Sequence, residues 1–169
     1  MSTYYDAFEH SPVPEPGPDA VAPDIFRGIY GMPMFVTIPT TDIDVSADFW
    51  QRALGFVDLF SIPGRMVHLR RWAFQDVLLV ATDEETPAPP ASSVTFAAVL
   101  DQVDGIAEAC KELRPGSTQG PRHTPWNTVD VEVVTPENAR VLMSAAKPYD
   151  PESQSAKDLA DVGITGPEA

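Results

Sequence analysis

The sequence predicts an α+β fold built from two tandem βαβββ units, and three observations carry that prediction. An apolar strand runs through a polar turn into an amphipathic helix twice, with Ile43-Asp44 and Val103-Asp104 sixty positions apart. Each helix halts at a breaker, Gly55 in one case and Pro115-Gly116 in the other, and strand-patterned sequence follows each. A Pro-rich break, Asp83-Glu84-Glu85-Thr86-Pro87-Ala88-Pro89-Pro90, parts the halves. One such unit leaves a sheet face uncovered; two units can curl their sheets into a shared cleft.

Residues 1–30 contain Ser11-Pro12-Val13-Pro14-Glu15-Pro16-Gly17-Pro18 and little periodicity, the composition of an extended, solvated arm that includes His10. The patterned core spans 31–147, as units 31–83 and 91–147, and a tail, 148–169, follows the break at Lys147-Pro148. In the first unit 34–38 reads as a strand, and the helix after Asp44 carries the stripe Val45, Phe49, Trp50, Ala53 and Leu54. Strands follow at 56–62, 65–71 and 76–81, the last two joined by Trp72-Ala73-Phe74-Gln75. In the second unit 94–98 is the strand, Ile106, Cys110 and Leu113 form the helical stripe, and 120–125 is loop, with His123 a polar loop residue. Strands 128–134 and 139–145 flank the turn Thr135-Pro136-Glu137-Asn138, and 152–159 fits a short polar helix.

A chain of 169 residues supports one sizeable core, since single cores become comfortable above ~100 residues. Eleven basic against 25 acidic residues give a net charge of −14, which argues against nucleic-acid binding because phosphate demands a basic surface. The charge suits a cationic ligand or partner, or serves solubility alone. The single cysteine, Cys110, excludes an intrachain disulfide framework and a Cys-rich zinc site, and reads as a core residue. No run approaches the ~18 apolar residues that cross a bilayer, and the first residues lack the build of a signal peptide. A cytoplasmic protein without membrane contact is the expectation.

The doubled pattern, with TTDIDVSADFWQRALGF, GRMVHLRRWAFQDVLLVAT and PWNTVDVEVVTPENARVLM, resembles the vicinal-oxygen-chelate superfamily. That superfamily includes glyoxalase I, extradiol dioxygenases, fosfomycin-resistance enzymes and the bleomycin-resistance proteins. Phe49-Trp50 and Pro125-Trp126 look most like the bleomycin-resistance branch. The likeness spans about residues 32–147 and implies a homodimer in which each chain lends units to two clefts. It also implies where His and Glu side chains would chelate a divalent metal. These places are Phe35, seven residues before Asp42; Thr95, its repeat equivalent; and Leu142, six residues after Pro136. Phenylalanine and leucine have no donor atom, and threonine is a poor ligand for zinc or iron. A fourth position, within 65–71 or 76–81, is not aligned by sequence, and His68 alone would not make a site. No metal and no other cofactor is therefore expected.

Strand alternation puts Met34, Val36 and Ile38 under the helices and turns Phe35 and Thr37 to the cleft. Thr95, His68, Arg70, Thr128, Asp130 and Glu132 face the cleft by the same rule. Asp130 and Glu132 stand ~7 Å apart on one face. They are simply solvated, are neutralised by His68 and Arg70 across the cleft, or grip a basic ligand. Phe35, Phe60, Trp72, Phe74 and Trp126 would wall a pocket for a planar or amphipathic molecule, or serve core or subunit contacts; Trp50 belongs to the core. The expected ligand-binding set is Phe35, Thr37, Phe60, His68, Arg70, Trp72, Phe74, Thr95, Trp126, Asp130, Glu132 and Leu142, with no catalytic residue assigned.

The expected function is non-catalytic sequestration of an antibiotic-like, amphipathic small molecule, cationic if the charge is matched to it. One rival is a lyase, isomerase or dioxygenase with a relocated metal, or a metal-free reaction with His68 or Glu132 as general base. Another is an interaction module that uses the arm and tail. No nucleophile triad or Gly-rich phosphate cradle is visible.

Overall fold

Asp42 begins the first helix, its carboxylate accepting a hydrogen bond from the Val45 N–H at 3.0 Å. In this computed structural model residues 4–5, 16–17, 19–30 and 34–163 are described, and His10 lies outside them. The elements in chain order are β1 (Tyr4–Tyr5), β2 (Ile29–Tyr30), β3 (Val36–Thr40), α1 (Ile43–Arg52), β4 (Val57–Ile62), β5 (Met66–Arg71) and β6 (Gln75–Ala81). They continue with β7 (Val94–Ala98), a 3-10 turn at Leu100–Gln102, α2 (Val103–Leu113), β8 (Thr118–His123), β9 (Thr128–Val134), β10 (Arg140–Ala146) and α3 (Gln154–Asp161).

Each unit forms a four-stranded sheet, β3-β6-β5-β4 and β7-β10-β9-β8. Its first and last strands are parallel neighbours, and the remaining neighbours are antiparallel. The two units are thus the same βαβββ fold written twice. Alternate residues of the strands, Val67, Leu69, Val77 and Leu79 in the first and Val131, Val133, Val141 and Met143 in the second, are buried on one face. Those faces belong to one hydrophobic cluster shared by the units. At their junction Trp50, Phe56 and Phe96 meet edge-to-face, with centroids 5.0, 5.1 and 5.9 Å apart. Each such contact adds ~0.5–1.5 kcal/mol beyond area burial.

A charge also joins the units. Arg71 is 2% exposed. It donates through Nη1 to Leu54 O at 2.7 Å, through Nε to Ala97 O at 3.0 Å and through Nη2 to Gln102 Oε1 at 2.6 Å. Its guanidinium lies 4.6 Å from the Trp72 ring centroid. Burial lowers its pKa to about 10, so it stays charged at neutral pH. Gly55 is required here twice over: its φ is +72°, and a Cβ would stand 2.5 Å from Arg71 Nη1.

Several expectations shift. The first strand starts two residues later than predicted, which leaves Met34 69% exposed instead of packed under the helix. Val45 is 53% exposed, and its place in the buried stripe goes to Ser46, whose hydroxyl lies 2.7 Å from that of Thr40. Residues 120–125 are not simply loop. Up to His123 they belong to β8, an edge strand whose ladder shifts between Thr118 and Pro121, where a proline without an N–H and Gly120 at φ +97° are tolerated. No described helix is long and apolar enough to cross a membrane.

Candidate functional site

The open face of the first sheet carries a polar cluster set by hairpin register. Arg70 on β5 pairs with Asp76 on β6. Asp76 Oδ1 accepts from Arg70 Nε at 2.8 Å, lies 2.8 Å from Arg70 Nη2 and contacts His68 Nε2 at 2.6 Å. The other oxygen, Oδ2, is buried without a hydrogen-bond partner. The Phe35 ring meets His68 edge-on at 5.2 Å, and Phe60, 56% exposed, is the cross-strand partner of His68. From above, Arg70 Nη1 donates to Phe26 O and Gly28 O, each at 2.9 Å, and Phe26 N–H donates to Trp72 O at 2.9 Å. His68 and Arg70 therefore do not neutralise Asp130 and Glu132, because Asp76 and the arm engage them.

Register also points to the fourth position that the resemblance implies. Leu142 lies beside Thr95, and Val36 lies beside Val77, so one step back along that ladder sets Phe35 beside Asp76. Asp76 is the first unit's counterpart of Leu142, and it is already tied to a guanidinium and an imidazole. Phe35, Thr95 and Leu142 supply no imidazole, carboxylate or thiolate, and among the described residues no three His, Cys, Asp or Glu side chains cluster. These residues do not fit a resident divalent metal.

The open face of the second sheet holds a cavity of about 450 Å³ lined by Thr95, Arg122, His123, Thr124, Pro125, Trp126, Thr128, Asp130, Leu142 and Ser144. Trp126 is 63% exposed. Asp130 is 9% exposed, and its Oδ1 accepts from Thr128 Oγ1 at 2.8 Å and Ser144 Oγ at 2.7 Å. Arg122 is its cross-strand partner on β8. Glu132 does not join Asp130 as a carboxylate pair for a cation: Arg140 binds it at 2.9 Å.

The structure thus brings Thr95, Trp126, Asp130 and Leu142 together in one cavity, and Phe35, Phe60, His68 and Arg70 on the other face. Thr37 borders a separate groove of about 320 Å³ between β3, the inter-unit linker and the β9–β10 turn. Trp72 is no ligand wall, since it is 3% exposed and packs on Arg71. Phe74 sits in the β5–β6 turn at φ +60° and lines none of these cavities. Sequence reading missed Asp76, Arg122 and Ser144, and set His123 aside as a loop residue. A tight hairpin opposing Arg70 to an aspartate was the signal for the first. Nothing marked β8 as a strand.

The glyoxalase/bleomycin resistance protein/dioxygenase superfamily model matches residues 34–143, the whole of both units up to the last strand. The chain belongs to this superfamily. No curated protein matches it by sequence. A hypothetical protein from S. aureus has the same fold at TM-score 0.57 and 18% identity, over 71% of this chain and 97% of that one. The fosfomycin resistance protein FosX of Mesorhizobium loti superposes at TM-score 0.56 and 13% identity, over 70% and 93%. A bleomycin resistance determinant encoded on transposon Tn5 reaches 22% identity over 67% and 96%, at a TM-score of 0.49, too loose to add weight. At these identities the likeness establishes the superfamily's fold and leaves activity open.

Proposed function

We propose that this superfamily member binds and sequesters an amphipathic small molecule without metal chemistry, on the open face of its second unit. The observation that carries the reading is the set Phe35, Asp76, Thr95 and Leu142, which puts two apolar side chains, a hydroxyl and an ion-paired carboxylate where the superfamily's enzymes hold a metal. The cavity beside Leu142, about 450 Å³, is of a size that takes drug-like ligands, typically ~300–1,000 Å³. Trp126 supplies a flat apolar surface, and Asp130 an acceptor for a basic group. The cavity takes no lining residue from the first unit, so a second wall would come from another chain, in a homodimer.

Calorimetry and native mass spectrometry with a panel of glycopeptide, peptide and polycyclic antibiotics test this, with and without EDTA. Binding by one compound class at micromolar affinity or better, unchanged by EDTA, is expected. Stoichiometric zinc, iron, nickel or manganese with EDTA-sensitive turnover would sink the reading. A second reading, metal-free catalysis, is favoured by one contact: the 2.6 Å approach of Asp76 to His68, which fixes an imidazole as a general base must be fixed. Turnover lost in His68→Ala and retained in EDTA would select it.

A further inference from the structure

We propose that residues 24–28 are an intramolecular ligand, a strap that occupies the open face of the first unit and competes with what binds there, so that this face takes extended peptide-like molecules. The proposal rests on the reading that the open sheet faces bind ligand. An uncovered sheet face is ordinarily wet, yet Arg70 and Asp76 on this face are each 2% exposed. The strap engages the face chiefly through its main chain: Phe26 O and Gly28 O accept from Arg70, and Phe26 N–H donates to Trp72 O. Its one aromatic side chain, Phe26, lies 5.9 Å from the Arg70 guanidinium. The carbonyls and the N–H are groups that any extended peptide offers whatever its sequence, and the ring over the guanidinium adds a preference for an aromatic residue.

The strap is built to leave. None of residues 19–28 is fully buried, whereas Leu69 and Val77 in the sheet beneath are completely so, and segments with little buried surface open at lower cost than the core. Gly28 keeps the strap's shape, because a Cβ there would stand 2.4 Å from Phe26 Cζ. Gly28→Ala therefore pushes the ring from Arg70, and Phe26→Ala removes it.

The test titrates a fluorescein-labelled peptide of residues 19–30 into the full-length protein and into full-length F26A and G28A. Binding at least tenfold tighter to either variant than to the parent is expected, and adding Arg70→Met should abolish that gain. Should the variants fold poorly, hydrogen exchange on the unaltered chain decides. The Phe26 amide should exchange at least a hundredfold faster than those of Leu69 and Val77, through a local opening. Peptide binding no tighter in well-folded variants, or a Phe26 amide that exchanges only with the core, overturns the proposal. Failure of the antibiotic panel would instead remove the second-unit reading and leave this test unaffected.

Discussion

Arg71 sets the clearest energetic demand of any single residue. Its Nε and Nη atoms serve the carbonyls of Leu54 and Ala97 and the amide of Gln102, and leaving a buried acceptor unpaired costs ~1–3 kcal/mol. Arg71→Met should lower stability by about 3 kcal/mol or more, and Gly55→Ala by ~1–3 kcal/mol from its left-handed backbone alone, both read as urea midpoints. Arg71→Lys should recover little, because an ammonium cannot span three acceptors as a guanidinium fork does. Cys110 gives a pH-dependent prediction. Burial pushes its thiol from 9.0 up to about 12. The folded chain keeps the proton where the unfolded chain loses it, so this contribution is complete below pH 9 and declines as pH rises towards 12. The urea midpoint should fall between pH 8 and pH 10.5, less steeply in Cys110→Ser, and the native thiol should resist labelling at pH 8. At this scale the family resemblance pointed to Phe35 and Leu142 through their offsets from turns, and to Thr95 as the repeat equivalent of Phe35. Asp76 was not legible, because its role depends on which residue it opposes across a hairpin, and Arg71 was hidden because alternation assigns a face without saying that a charge can be satisfied there.

Helices α1 and α2 and the meanders after them were readable because apolar period and breakers agree along each segment. β8 was not: Gly120 and Pro121 carry the chemistry of a loop, and only its edge position, with one neighbour to satisfy, lets them join a ladder. The β5–β6 turn hid a similar feature. Trp72 and Phe74 adopt φ of +53° and +60°, uncommon for bulky side chains, and the turn is held by Arg71 under the Trp72 ring and by the strap on the Trp72 carbonyl. Trp72 and Trp126, both pocket walls by sequence, thus belong to different elements with different duties: one is buried in the β5–β6 turn and the other exposed at the second unit's cavity. Trp126→Ala should weaken ligand binding at least tenfold with little change in melting temperature, as expected for an exposed anchor. Trp72→Ala should cost ~3–5 kcal/mol of stability as a large buried side chain. Paired thermal melts and ligand titrations of the two variants separate the roles, and the opposite pattern would place the ligand on the first unit's turn.

At the scale of the molecule, the two units share one core on one side of their sheets and keep separate polar surfaces on the other. A ligand pocket usually buries ~70–90% of its ligand's surface, which a single sheet face does not provide. The second unit's cavity, lined by that unit alone, therefore asks for an opposing wall, and the first unit's open face in another chain is the surface with matching character: aromatic at Phe35 and Phe60, polar at His68, and bordered by the strap. A two-fold assembly would make two such clefts at once, since each chain offers one face of each kind. Light scattering on micromolar protein should accordingly return twice the chain mass of 18.3 kDa. Ligand stoichiometry should approach one per chain, and dilution to monomer should abolish binding together with the assembly. A monomer that binds its ligand with undiminished affinity would show that one sheet face suffices and would remove the second chain from the site.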